Sequence, residues 1–214
     1  MGEAGALRGP GRGPGPRRAE SVNSVIASPL SAIGLNEGTF MESHASDVAL
    51  LLLRVTVGGI FLAHGFNHVF GGGKIAGTGR WFESLGMRPG WLHAWTASLT
   101  EIGAGFLLIA GLLTPFAAAG VVGVMLVAWI TNHRGNGFFI FRPGEGWEYV
   151  MTLTVVGVVI GILGPGRWSL DDVAGLLGLG GWTGWWIVLA LGGGGAALLL
   201  AGFWRPPVKT SAAE

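Results

Sequence analysis

The stretch DVALLLLRVTVGGIFLAHGFNHVF, residues 47–70, decides the fold because it is long and apolar enough to cross a lipid bilayer. About 20 residues at ~1.5 Å each span a hydrocarbon core of roughly 30 Å. The same stretch carries Arg54, His64, Asn67 and His68. An arginine facing lipid costs roughly 2.5–3.5 kcal/mol on insertion scales. These side chains are therefore expected to find polar partners inside a bundle of helices.

The composition also indicates a membrane protein. Of the 214 residues, 50% are hydrophobic and only 12% are charged, against about 25% charged in a typical soluble domain. The net charge of +1 and the lack of a basic stripe argue against nucleic acid as a partner. The sequence has no cysteine, which excludes disulfides, thiol catalysis and thiolate-bound iron–sulfur clusters. Redox chemistry would therefore need a bound cofactor or a partner subunit.

Further apolar segments predict an all-α membrane protein, a four-helix transmembrane bundle plus a fifth C-terminal transmembrane helix. Beyond the first span, the predicted spans are residues 92–113, 116–132, 147–163 and 185–204. The fifth contains no ionisable residue, so it is expected to pack or to face lipid. Gly157 and Gly161, four residues apart in the fourth span, allow two helix backbones to approach closely. Ser169 or Asp171 is expected to cap a short helix at the membrane surface.

Composition divides the chain into four parts. Residues 1–46 are expected to be a disordered tail rich in glycine, proline and arginine, followed by a polar lead-in. Residues 47–172 hold the four-helix bundle, 173–204 an interfacial segment and the fifth helix, and 205–214 a short polar tail. Met41, just before the first span, is a candidate start of translation.

The distribution of basic residues predicts the orientation in the membrane, because cytoplasmic loops carry an excess of Lys and Arg. Only Arg167 lies near a span on one side, whereas the other side carries Lys74, Arg80, Arg88, Arg134, Arg142, Arg205 and Lys209. The loops after the first and third spans and the C-terminus are therefore expected in the cytoplasm, although the arginines of the N-terminal tail favour the opposite orientation.

Most of the ionisable residues in the spans are expected near one membrane face, because alternate spans run in opposite directions. This group comprises His64, His68, His93, Glu101, His133 and Glu148. His64 and His68 are four residues apart and share one side of a helix, a spacing that suits two imidazole ligands of a metal or haem. Two other interpretations stay open: hydrogen bonding that holds helices together, and direct contact with a substrate or quinone.

Arg54 and Glu101 are expected to form an ion pair, since each would otherwise be an uncompensated charge in a medium of low dielectric constant. Their estimated depths below the same face differ by only several Å, at ~1.5 Å per residue. The alternative is that Arg54 extends its side chain to the nearer membrane surface.

Several motifs occur in an order that resembles the DoxX family of bacterial membrane proteins, from about residue 48 to residue 172. They are Arg54, the HG of 64–65, His68, FESLGMRPG (82–90), EIGAG (101–105), GLLTP (111–115), HRGNGFF (133–139), GEGWEY (144–149) and GPGRWSLD (164–171). The resemblance implies a compact four-helix bundle in the bacterial inner membrane. The family takes its name from a subunit of an archaeal thiosulfate:quinone oxidoreductase, and some relatives are linked to oxidative and thiol stress.

The resemblance and the polar cluster together suggest a membrane subunit of a redox or oxidative-stress assembly. Glu101, Glu148 and Arg54 are the predicted catalytic residues, and His64, His68 and His133 the predicted cofactor-binding residues, with a quinone, metal or haem as the cofactor. The expected partners are the lipid bilayer, soluble redox enzymes and a second copy of the chain. The alternative is a non-enzymatic scaffold that docks soluble redox enzymes at the membrane, and a small transporter is a third possibility.

Overall fold

The computed structural model describes Gly2 and residues 37–207, with the side chains of the first helix from His44 onward. The predicted Gly/Pro/Arg-rich tail and Lys209 lie outside the described residues. From Glu42 onward the described residues form one compact unit. All the described helices lie in this unit, except that α1 begins before it, at Glu37.

The described part of the chain is helical throughout, apart from its connections and an isolated bridge between Met87 and Trp204. The helices are α1 (Glu37–Phe70), α2 (Lys74–Ser84), α3 (Gly90–Ala110), α4 (Thr114–Ala128), α5 (Glu148–Leu163), α6 (Leu170–Val173), α7 (Gly181–Ile187) and α8 (Gly194–Phe203). A π-helical turn, Trp129–His133, extends α4. A second one, Val188–Gly193, joins α7 to α8, and we call Gly181–Phe203 the final segment.

Four helical segments are long and apolar enough to cross a membrane, and α5 is a shorter apolar helix beside them. The four are His44–Phe70, Gly90–Ala110, Thr114–His133 and Gly181–Phe203. Their outer surface carries exposed apolar side chains such as Leu52, Leu99 and Leu198, as expected for contact with lipid. The predicted all-α architecture, a four-helix bundle with a fifth C-terminal helix, is thereby confirmed. The first helix starts at Glu37, earlier than the predicted span at residue 48.

The turn between α3 and α4 is tight, as the sequence predicts. Gly111 ends α3 in the left-handed conformation, with φ 64°, and Pro115 occupies the first turn of α4. Glycine tolerates that conformation, and proline fits a helix start because it has no N–H to leave unpaired. The two helices therefore return side by side.

Helix α4 lies at the centre of the bundle and packs against α3, α5 and the final segment. Its buried face is made largely of alanine and valine. A Cβ on Gly157 of α5 would lie 3.0–3.1 Å from the side chains of Val121 and Val122, and one on Gly161 would contact Val188. The small residues of α5 thus allow the close helix approach that their spacing predicts.

Candidate functional site

A cavity of about 550 Å³ lies between the end of α1, α2, the first half of α3, α4 and the final segment, and its histidines gather at one end of the bundle. We call this end the histidine face. The wall is mainly apolar, with a minority of polar residues: His64, His68, His93, Thr96, Thr100, Glu101, Thr131, Asn132, His133, Glu145 and Tyr149. An apolar cavity with a few converging polar groups is the usual form of a small-molecule site. The predicted convergence of the histidines and Glu101 is observed here.

Glu101 and His68 are neighbours in the wall of this cavity. The Oε2 atom of Glu101 lies 3.4 Å from Nε2 of His68, but it has no hydrogen-bond partner and the residue is only 4% exposed. The ring of Trp81 stacks on His68 with 6.4 Å between centroids. His64, one turn earlier, lines the cavity with an exposed side chain. A buried carboxylate oxygen without a hydrogen-bond partner is free to bind a ligand that donates a hydrogen bond.

His93 contributes a second buried polar atom without a partner. The residue is 4% exposed, its Nε2 has no hydrogen-bond partner, and it lines the cavity. Its ring lies between those of Phe82 and Phe203, at centroid distances of 6.3 and 5.2 Å. These aromatic contacts fix the position of the imidazole while its Nε2 stays available.

His133 has both ring nitrogens engaged within the protein. Nδ1 donates to the carbonyl oxygen of Glu145 at 2.9 Å, and Nε2 lies 3.2 Å from the side-chain amide of Asn132. Asn136 adds hydrogen bonds to the carbonyls of Asn132, Gly144 and Glu145. His133 therefore fastens the loop between α4 and α5, although its ring also lines the cavity.

Glu148 lies outside the cavity wall. Its Oε1 accepts a hydrogen bond of 2.9 Å from the backbone N–H of Ile140 in the same loop. The structure thus separates Glu148 from Glu101, and the predicted catalytic role of Glu148 has no cavity contact to support it.

Arg54 lies far from this cavity, and the predicted ion pair with Glu101 is wrong. Its guanidinium donates to the carbonyl oxygens of Leu108 at 3.2 Å and Trp168 at 2.6 Å, and the residue is fully buried. Leu108 is seven residues after Glu101, about 10 Å further along α3. The error came from the register of α1 against α3, which sequence depth alone does not give.

Arg54 instead belongs to a polar cluster at the opposite face of the bundle. Asp171, also fully buried, accepts hydrogen bonds from the backbone N–H groups of Leu113 and Thr114 and so caps the start of α4. Ser169 caps α6 by accepting from the N–H of Asp172 at 3.1 Å, as the sequence predicts. This cluster joins α1, the α3–α4 turn and the segment after α5.

Among the residues that the structure describes, no group of three His, Asp or Glu side chains is arranged to hold a metal ion. Metal binding by His64 and His68 therefore stays a prediction without a third protein ligand. The cavity suits an organic molecule better, because most of its wall is apolar.

Sequence reasoning missed two parts of the cavity. Thr96 and Thr100 follow His93 at helical spacing, so a polar stripe on α3 was the signal available for them. The final segment also contributes a wall, through Leu191, Gly195, Ala196 and Leu199. No signal marked this wall, because the segment lacks ionisable residues.

Part of the chain is similar to a known protein family. Residues 49–134, from α1 through the π turn after α4, match the DoxX family model. An uncharacterized membrane protein of Mycobacterium tuberculosis is 29% identical over 132 residues, which cover 58% of this chain and 79% of the relative. No solved structure gives a significant match. Residues 49–134 are therefore similar to a DoxX domain, in a chain whose described part has several helices long and apolar enough to cross a membrane.

Proposed function

We propose that this protein is an integral membrane subunit of a redox or oxidative-stress assembly and that its cavity binds a quinone or hydroquinone. One observation carries the proposal: Glu101 and His93, both almost fully buried, each line the cavity with a polar atom that has no hydrogen-bond partner. Leaving such atoms unpaired costs roughly 1–3 kcal/mol each. A ligand that pairs with them would recover this free energy.

The chemistry of these two groups suits a quinone pair. A hydroquinone has two hydroxyl groups that donate hydrogen bonds, and the carboxylate of Glu101 and an unprotonated imidazole nitrogen such as Nε2 of His93 can each accept one of them. The rings of Trp81 and Tyr149 line the same cavity and offer flat surfaces for an aromatic head group.

Reduction of a quinone consumes two electrons and two protons. Glu101 and His68, 3.4 Å apart, are placed to pass protons to a ligand beside them. The electrons would come from a partner enzyme, because the chain has no cysteine for a sulfur relay. Glu101 and His68 would thus act on protons, and the assembly would supply the electrons.

The histidine face is proposed to lie in the cytoplasm of a bacterial cell, with the protein in the inner membrane. Basic residues gather there: the guanidinium of Arg134 lies 5.1 Å from the ring of Trp204, and the N–H of Arg205 donates to the carbonyl of Gly86. The excess of basic residues on cytoplasmic loops supports this orientation. Soluble redox enzymes would then meet the protein on the side where its cavity lies.

Equilibrium titration of the detergent-purified protein with decylubiquinol, the hydroquinone form, under anaerobic conditions tests the proposal. We expect saturable binding that Glu101→Gln weakens by roughly 10- to 100-fold, since a hydrogen bond to a charged group contributes about 1.5–3 kcal/mol. Glu148→Gln is the matched control, because that carboxylate lies outside the cavity, and it should bind like the wild type. No saturable binding, or equal loss in both variants, would contradict the proposal.

A non-enzymatic scaffold is the second candidate, and the loop between α4 and α5 supports it. Phe141 at the tip of this loop is 80% exposed, while His133 and Asn136 hold the loop in place. A fixed, exposed aromatic side chain suits docking of a protein partner. Co-purification of soluble enzymes that Phe141→Ser abolishes, from a protein that binds no quinone, would favour the scaffold.

A further inference from the structure

We infer that the cavity receives its ligand sideways from the bilayer, and that the ligand carries an apolar chain as well as an uncharged hydrogen-bonding head. The head lies beside His93 and Glu101, and the chain runs along α4 towards the opposite face. This inference rests on the proposed function, because it names the class of molecule that the same site would take.

The floor of the cavity is one face of α4. Phe116, Gly120, Gly123, Val127 and Thr131 all line it, at the spacing of three and four residues that places side chains on one side of a helix. From Phe116 to Thr131 this face is about 22 Å long at ~1.5 Å per residue. A cavity of about 550 Å³ spread over that length is a groove, and a groove suits an extended chain.

Glycines keep this groove open. A Cβ on Gly123 would approach the backbone of Gly192 only to 3.5 Å, which is ordinary contact, and a Cβ on Gly195 would meet nothing within 4 Å. Both glycines line the cavity, from α4 and from the final segment respectively. A larger side chain at Gly195 would project into the cavity, so this glycine leaves the volume beside it to a ligand.

Polarity changes along the groove. His93, Thr131 and Asn132 line its end at the histidine face, whereas Phe116 and Leu191 form the other end. Phe116 is 41% exposed and Leu191 is 54% exposed. This second end of the groove therefore opens towards lipid. A molecule with its head at the histidine face would let its chain leave the protein between Phe116 and Leu191.

The charge of the lining selects the head group. None of the cavity-lining residues is Lys or Arg, and the buried carboxyl of Glu101 is among them. The anionic head of a fatty acid or phospholipid would find no cationic partner in this lining. An uncharged head that donates or accepts hydrogen bonds avoids this cost, and a quinone or hydroquinone with an alkyl or isoprenoid chain has that form.

Two quinones with the same head and different chains test the inference. The full chain in lipid nanodiscs is titrated with decylubiquinone and with the chainless analogue, and concentrations are corrected for partitioning into empty nanodiscs. We expect the decyl compound to bind at least about tenfold more tightly. Gly195→Leu should remove this advantage.

The matched control is Gly194→Leu, the same change one residue earlier. A Cβ on Gly194 also meets nothing within 4 Å, but Gly194 does not line the cavity. It should keep the decyl advantage. Gly123→Leu, which fills the groove from the opposite wall, should remove the advantage, and a thermal unfolding curve of each variant confirms that it is folded.

Equal binding of the two quinones by the wild type, or an advantage that survives both groove-filling substitutions, would overturn the inference while leaving the proposed quinone site intact. Binding of neither quinone would overturn the proposed function itself. Oleate, which has a chain but an anionic head, should not displace decylubiquinone, and efficient displacement would overturn the claim that the head is uncharged.

Discussion

Replacement of Arg54 by methionine is expected to destabilise the protein strongly without weakening ligand binding. The guanidinium is fully buried and donates to two backbone carbonyls, those of Leu108 and Trp168. Methionine has a similar length and can fill the space, but it cannot donate to either oxygen. The substitution therefore removes the polar contacts that join α1 to α3 and to the segment after α5.

The magnitude follows from these contacts. A hydrogen bond to a charged group contributes about 1.5–3 kcal/mol, so the loss of two, partly offset by burial of the methionine side chain, is expected to cost about 3–5 kcal/mol. For a chain of this size each kcal/mol corresponds to roughly 2–4 °C. Arg54→Met should therefore lower the melting temperature by roughly 6–20 °C.

Thermal unfolding in detergent, followed by circular dichroism, measures this shift. Arg88→Met is the matched control, because Arg88 is exposed and its loss should change the free energy of unfolding by less than about 0.5 kcal/mol. A variant that melts like the wild type but no longer binds decylubiquinone would refute the reasoning. Arg54 would then act at the ligand site, as the sequence alone predicted.

Three further substitutions test the fold. Gly157→Leu should destabilise the protein by about 1–3 kcal/mol in thermal unfolding, because the new side chain overpacks against α4, whereas Gly59→Leu, where a Cβ meets nothing within 4 Å, should be tolerated. Asn136→Ala should release the loop that follows α4, and hydrogen exchange of residues 137–146 should rise while the spans stay protected. Asp171→Ala removes the acceptor of two backbone N–H groups at the start of α4 and should cost about 2 kcal/mol or more of unfolding free energy, measured by the same melting experiment.

Hydropathy and turn residues predicted most of the fold. The five apolar segments, the tight turn at Gly111 and Pro115, and the close approach at Gly157 and Gly161 are all local properties of the sequence. The contribution of the final segment to the cavity was not predictable in this way. It depends on which neighbours Gly195 and Leu199 meet, and their residue types alone indicate only lipid or packing.

The site was predicted in part, for a similar reason. The position of each residue within its span predicted that His68, His93 and Glu101 lie near one membrane face, and the structure brings them together. The same estimate of depth failed for Arg54, because a residue's position in its own span does not determine the register of α1 against α3. That register depends on close glycine contacts: a Cβ on Gly65 would meet Ile102 and Glu101, so Arg54, about three turns earlier on α1, reaches Leu108 instead.

Photolabelling with an azidoquinone that carries a decyl chain, followed by peptide mapping, tests the central claim most directly. We expect the label on residues 93–101 of α3 and 116–131 of α4, with protection by an excess of unlabelled decylubiquinone. Unprotected labelling confined to lipid-facing side chains such as Leu52 and Leu198 would show that quinones contact only the outer surface, and would contradict the assignment of the cavity as their binding site.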